Sequence, residues 1–111
     1  MQKTKNHPIS ITQLKEKVDH DKDGSLDRAK KAIRALNHPM RHKILEILKE
    51  RGATPVTDIY VAIRGEQSVI SQQLKVLRDV GVVSFERFGK EIHYKIEYSR
   101  YELIKKLAKE F

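Results

Sequence analysis

The chain has 111 residues, enough for one compact domain with a modest core and too few for a second. Its 23 Lys and Arg outnumber 15 Asp and Glu, leaving a net charge of +8 and an isoelectric point of about 9.8, values that fit a polyanion-binding domain and equally a merely basic protein. The absence of Cys excludes disulfides, thiolate metal sites and thiol redox chemistry, and the lack of a long apolar run or a secretory leader in MQKTKNHPIS makes a membrane partner unexpected and the cytoplasm the expected compartment.

In ISITQLKEKV, Ile11, Leu14 and Val18 lie three and four apart and predict a short amphipathic helix. The acidic stretch DHDKDGSLD follows. In SLDRAKKAIRALNHP, Ala29, Ala32, Ile33 and Leu36 have helical spacing, and Pro39 forces a boundary because it has no amide hydrogen to donate. Pro39 suits the first turn of the next helix, PMRHKILEILKERG, with Ile44, Leu45, Ile47 and Leu48 inward and Gly52 as a left-handed cap.

In TPVTDIYVAIRG, Thr57 is the expected cap of a short helix with Ile59, Tyr60 and Ile63 on its buried side. A link of about four residues, Arg64 to Gln67, leads into EQSVISQQLKVLRDVG, where Val69, Ile70, Leu74 and Leu77 mark the inward face. Beyond Gly81 the period changes to two: Val83 and Phe85, then Ile92, Tyr94 and Ile96, flank Phe88-Gly89-Lys90 and predict a β-hairpin. The final helix is expected from a capping box, Ser99 with Glu102, and from Tyr101, Leu103, Ile104, Leu107 and Phe111.

The predicted fold is mainly α with a small β-hairpin: a winged helix-turn-helix of about six helices and a two-stranded wing, filling residues 1–111. The second helix of such a motif enters the major groove. With Ile70, Leu74 and Leu77 inward, Gln67, Ser68, Ser71, Gln72 and Lys75 lie on its other faces. Gln pairs with adenine in a bidentate way, Ser is a tolerant donor and acceptor, and Lys75 and Arg78 suit phosphates. At the hairpin tip Arg87, Lys90 and His93 are cations near Gly89, placed either to touch nucleic acid or simply to be solvated.

The segments ALNHPMRHKILEIL and EQSVISQQLKVLRDVGVVSFERFGKEIHYKI resemble the ArsR family of bacterial winged-helix repressors, from about Ala32 to Ile96. The matching positions are Ala35, Leu36, Pro39 and Arg41 before the apolar helix, Ser71, Gln72, Gln73, Leu74 and Leu77 in the recognition helix, and Gly81 opening the wing. The resemblance adds Gln73 to the expected DNA-binding residues. It implies a homodimer, joined through the first and last helices (1–18 and 99–111), that represses transcription from a near-palindromic duplex until an effector releases it. The apolar faces of those helices agree with this, and equally with a role in covering their own core.

Metal-sensing members of the family carry Cys near the short helix or Asp and His on the last one. VTDIYVAIRG and SRYELIKKLAKEF have neither Cys nor His, so the effector is left unknown and no cofactor is expected.

DHDKDGSLD matches the start of a calcium loop, with Asp19, Asp21, Asp23, Gly24, Ser25 and Asp27 in register, but Lys30 stands where a bidentate Glu should close the shell. Two readings stay open: a weak divalent-cation loop built on Asp19, Asp21, Asp23 and Asp27, or a solvated turn in which Ser25 and Asp27 cap the next helix, the one Lys30 favours. The five His, at 7, 20, 38, 42 and 93, form no convincing metal set, and His38 before Pro39 is a cap position.

A sequence-specific transcriptional regulator is the leading expectation. The alternative is a winged-helix interaction or architectural module with nonspecific nucleic-acid binding. No nucleophile signature, phosphate loop or HExxH helix suggests an enzyme.

Overall fold

The computed structural model describes residues 24–110. Over them the chain runs α1 (Ser25–Ala35), α2 (Pro39–Arg51), β1 (Thr54–Pro55), α3 (Val56–Ile63), α4 (Gln67–Asp79), β2 (Val83–Phe88), β3 (Glu91–Ile96) and α5 (Tyr98–Glu110). The described residues thus hold five helices rather than about six, because the helix expected in ISITQLKEKV lies outside them. The two-stranded hairpin of the wing forms as β2–β3, and the two-residue strand β1, which the sequence does not suggest, extends it to a sheet in the antiparallel order β1-β3-β2.

Helix α1 begins after Gly24, whose φ of 95° makes it the N-cap in place of Ser25 or Asp27. Asp27 lies in the first turn, where a carboxylate complements the helix dipole. At the other end, His38 takes the expected cap position before Pro39: its backbone is extended, and Nδ1 accepts a hydrogen bond from the Met40 amide at 3.1 Å. The carbonyls of Ala35 and Leu36 would take the amides of residues 39 and 40 in an unbroken helix. Pro39 has no amide hydrogen, and Met40's is already used. Side chains of α2 replace both donors, with Arg41 Nη1 3.2 Å from the Ala35 carbonyl and the His42 ring Nε2 bonded to that of Leu36.

The amide of Gly52 closes α2 by donating to Leu48 O at 2.9 Å. Its φ of 73° with ψ −148° lies outside the left-handed helical region expected for it. Buried Thr54 donates from Oγ1 to Gly52 O at 2.7 Å, and β1 pairs Thr54 with Tyr94 and Pro55 with His93. Pro is tolerated here because β1 is an edge strand.

Pro55 occupies the N-cap of α3, so Thr57 is that helix's second residue and not its cap. A similar shift affects α5. The Tyr101 amide donates to Glu97 O at 3.0 Å, which places Ser99 inside the first turn, and Glu102 lies 3.5 Å from Lys105 as an ion pair. Ser84 Oγ donates to the Glu97 carboxylate and so holds the strand-to-helix junction two residues earlier than the capping box at Ser99 predicts.

The core joins Ile44, Leu45 and Leu48 of α2, Ile59 of α3, the inward row of α4, and Val82, Val83, Tyr94, Ile96, Tyr101 and Ile104. Ile47 is only half-buried. Helix α1 packs on α5 at one side of this core. In α4, Ile70, Leu74 and Leu77 are all 0% exposed. Burying three such side chains is worth roughly 1.5–3 kcal/mol each, comparable in sum to the net stability of a small domain. The rotation of α4 about its axis is therefore fixed by packing, and so is the face it turns outward.

Candidate nucleic-acid interface

Three residues, Arg64, Gly65 and Glu66, join α3 to α4. Arg64 is the one described non-glycine residue at positive φ, 62°, and its amide caps α3 by donating to Tyr60 O at 2.9 Å. The tight reversal follows from this left-handed residue, which carries a cation where glycine would be unstrained.

On the outward side of α4, Gln67, Ser68, Ser71, Gln72, Lys75 and Arg78 are exposed. Val69 joins them at 36% exposure, not the inward row, because Ile70, Leu74 and Leu77 alone define the buried stripe. Gln67, Ser68 and Gln72 form a polar patch on the first two turns. Ser71 Oγ lies 2.8 Å from Tyr60 Oη, so the phenol of α3 adds a second hydroxyl to the patch. Spacing alone places Tyr60 on the buried side of α3. Its half-buried position is that of an amphipathic ring, apolar along its body and polar at its tip.

The cations are less uniform. Lys75 is 2.9 Å from Asp79 one turn on. That hydrogen bond, with the charges of Lys75, Arg78 and Lys31, holds the Asp79 carboxyl below its usual range. The guanidinium of Arg78 lies 5.1 Å from the centre of the Phe85 ring and ties α4 to the wing. Gln73 is half-buried and turns to α2, where its Oε1 accepts from Arg41 Nε at 2.7 Å.

In the wing, Gly89 has φ 65° and opens a two-residue turn with Lys90, the geometry that favours glycine in the first turn position. The register pairs Arg87 with Ile92 and Phe85 with Tyr94, while Glu86 faces His93 and Phe88 faces Glu91. Because side chains alternate along a strand, Arg87 shares the sheet face of Phe85, where Arg78 of α4 rests. Glu86, Phe88, Glu91 and His93 occupy the opposite face. His93 is paired there with Glu91 at 2.9 Å and meets the Phe88 ring edge-on at 4.8 Å, set back from the tip where Lys90 stands exposed. The wing is therefore two-sided in charge, with Arg87 toward α4 and the carboxylates away from it.

Among the described residues no cluster of three His, Asp or Glu is arranged to hold a metal ion. Asp19, Asp21 and Asp23 of the candidate cation loop lie outside the described residues. No helix among them is long and apolar enough to cross a membrane.

A tight turn between α3 and α4, followed by an antiparallel wing, defines a winged helix-turn-helix protein. Residues 38–84 match the family model of bacterial regulatory proteins of the arsR family. The chain is 36% identical over 91 residues to the transcriptional repressor PagR of Bacillus anthracis, covering 81% of this chain and 91% of PagR. The crystal structure of PagR superposes with a TM-score of 0.60, over 75% of this chain and 95% of that one, at 34% identity. It is also 45% identical over 64 residues to the regulator NmtR of Mycobacterium tuberculosis, covering 58% of this chain and 52% of NmtR. The solution structure of a homodimeric winged helix-turn-helix DNA-binding domain from Mycobacterium bovis matches with a TM-score of 0.64 and 26% identity, over 82% of this chain and 90% of that one. The chain spans about half the length of its mycobacterial relatives NmtR and SmtB. This chain belongs to the arsR family of bacterial regulatory proteins.

Proposed function

We propose that the chain is a sequence-specific DNA-binding transcriptional regulator that acts as a repressor, working as a homodimer on a near-palindromic duplex. The observation that carries this reading is the outward patch of Gln67, Ser68, Ser71 and Gln72 on a helix whose opposite side is locked into the core. A rigid helix with amide and hydroxyl groups on its first two turns has the chemistry for reading base edges. Lys75, Arg78, Arg87 and Lys90 supply phosphate contacts along α4 and the wing, whose Arg87 face turns to the duplex. The naming of PagR as a repressor and the dimeric state of the mycobacterial domain favour the same reading. Of the two helices expected at the two-fold contact, that of residues 1–18 lies outside the described residues, and the contact is assigned to α5 together with α1, which packs on it, with Ile33, the C-cap Leu36 and Leu103 half-buried there. A role on DNA assigns the protein to the bacterial cytoplasm and gives it no catalytic step.

Selection of bound fragments from genomic DNA by the purified chain tests this, repeated with Ca²⁺ and with Zn²⁺. A recovered palindrome is the expected outcome. Binding without sequence preference and with a steep salt slope would replace the reading with an architectural or interaction module. Loss of the palindrome in Ca²⁺ would make the acidic stretch 19–27 an effector site.

A further inference from the structure

Arg41 lies at the meeting point of three helices. From α2 its Nη1 donates to the carbonyl of Ala35, the last residue of α1, while its Nε donates to Gln73 Oε1 on α4. Neither acceptor is incidental. Ala35 is 2% exposed, and Pro39 deprives its carbonyl of the amide it would otherwise receive. The orientation of the Gln73 amide is settled by its partner, because a guanidinium has donors only and must face the oxygen. The planar fork of Arg supplies both bonds at once, whereas a Lys ammonium on a flexible stem has no fixed fork to span two acceptors.

Gln73 also borders the buried row, three positions after Ile70 and four before Leu77. Bidentate pairing with adenine needs the amide oxygen and nitrogen together. Arg41 takes one lone pair of that oxygen and holds the half-buried amide toward α2, so Gln73 offers less to a base edge than the exposed Gln72.

We propose that Arg41 is a positioning residue for DNA recognition. It fixes the seat of α4 against the α1–α2 corner, and Gln73 is its acceptor rather than a reader of bases. The inference rests on the DNA-binding reading for its functional part, while the clasp itself is a property of the free protein.

The test has two arms, each using the whole chain with Arg41→Ala, Arg41→Lys, Gln73→Ala and the Arg41→Ala/Gln73→Ala double variant. Without DNA, amide resonances are compared in ¹H–¹⁵N spectra. Gln73→Ala is expected to shift Leu36 and Asn37, across the guanidinium from the substitution, and Arg41→Lys to shift the same residues and the middle of α4 while the protein stays folded. Shifts from Gln73→Ala confined to its own helix neighbours would overturn the clasp. With DNA, affinities are measured for the duplex recovered by selection and for a random duplex of equal length. Each Ala variant is expected to lose about tenfold on the selected duplex, the double variant no more than Arg41→Ala alone, and a fresh selection with Gln73→Ala to return an unchanged sequence. Losses that multiply in the double variant, or a changed preference at one base position with Gln73→Ala, would return Gln73 to base reading and overturn the proposal. If the unmodified chain selects no duplex, the DNA reading falls and takes Arg41's part in recognition with it, while the spectra still decide the clasp.

Discussion

At the scale of single residues, the outward face of α4 divides by what each side chain already touches. Gln72 is exposed on the patch assigned to base reading, so Gln72→Ala is expected to cost about 1–3 kcal/mol on the selected duplex and to relax preference at one base pair. Lys75→Ala should instead weaken every duplex alike and lower the salt slope by about one; anisotropy titrations over a range of salt concentrations check both. Asp79 acts in the opposite sense, drawing Lys75 into an ion pair at 2.9 Å and adding a negative charge beside Arg78. Asp79→Asn should therefore tighten binding to selected and random duplexes together. Its effect on stability has a defined sign: a carboxyl held below its usual range stabilises the fold above that range, and the contribution is lost as pH falls through the lowered value. Because the pair is exposed, the difference in melting temperature between wild type and Asp79→Asn should be small, shrink in high salt and disappear in acid. The polar patch was legible from spacing alone, and so was the apolar row apart from Val69, which spacing places inward and the structure leaves exposed. The engagement of Gln73 was not, because its partner Arg41 is 32 positions away and nothing in the local pattern of α4 names it.

At the scale of elements, the long helices and the hairpin follow from periods of 3.6 and two, whereas their ends depend on contacts between elements. Thr57 and Ser99 have the composition of caps, yet Pro55 and the Ser84–Glu97 bond set those boundaries. Strand β1 consists of two residues, one of them Pro, and so has no alternation to detect. His38 is the counterexample, a cap legible from Pro39 next to it. His38→Ala should lower stability by about 1 kcal/mol in urea denaturation, through loss of the bond to the Met40 amide. The entry to the wing is more demanding. Gly81 has φ 82°, and a Cβ there would stand 3.3 Å from Arg100 Nε. Gly81→Ala is expected to cost about 1–2 kcal/mol for the left-handed backbone alone, with displacement of Arg100 in addition. By contrast, the turn glycine Gly89 has open space around it, and Asn, which tolerates positive φ, should replace it with little loss.

At the scale of the whole molecule, helix α4 and the wing pack on a shared core, and the α1–α5 pair stands at another side of it. If that pair is the two-fold contact, Leu103→Glu should yield monomers in sedimentation while leaving the helical spectrum intact. Affinity for the palindrome should then fall far more than affinity for one half-site, because linked sites gain from effective concentration. The pairing of Thr54 and Pro55 with Tyr94 and His93 bears on a different quantity. A two-stranded hairpin alone is marginally ordered, but here its inner strand is bonded on both edges, and the short strand on its far side leads directly into α3. The wing is thus shaped in the free protein, and docking it on DNA as proposed should incur little of the ordering entropy that accompanies coupled folding. Calorimetry would register this as a modest heat-capacity change, and a chain whose first strand has been loosened would show a larger entropic penalty for the same contacts.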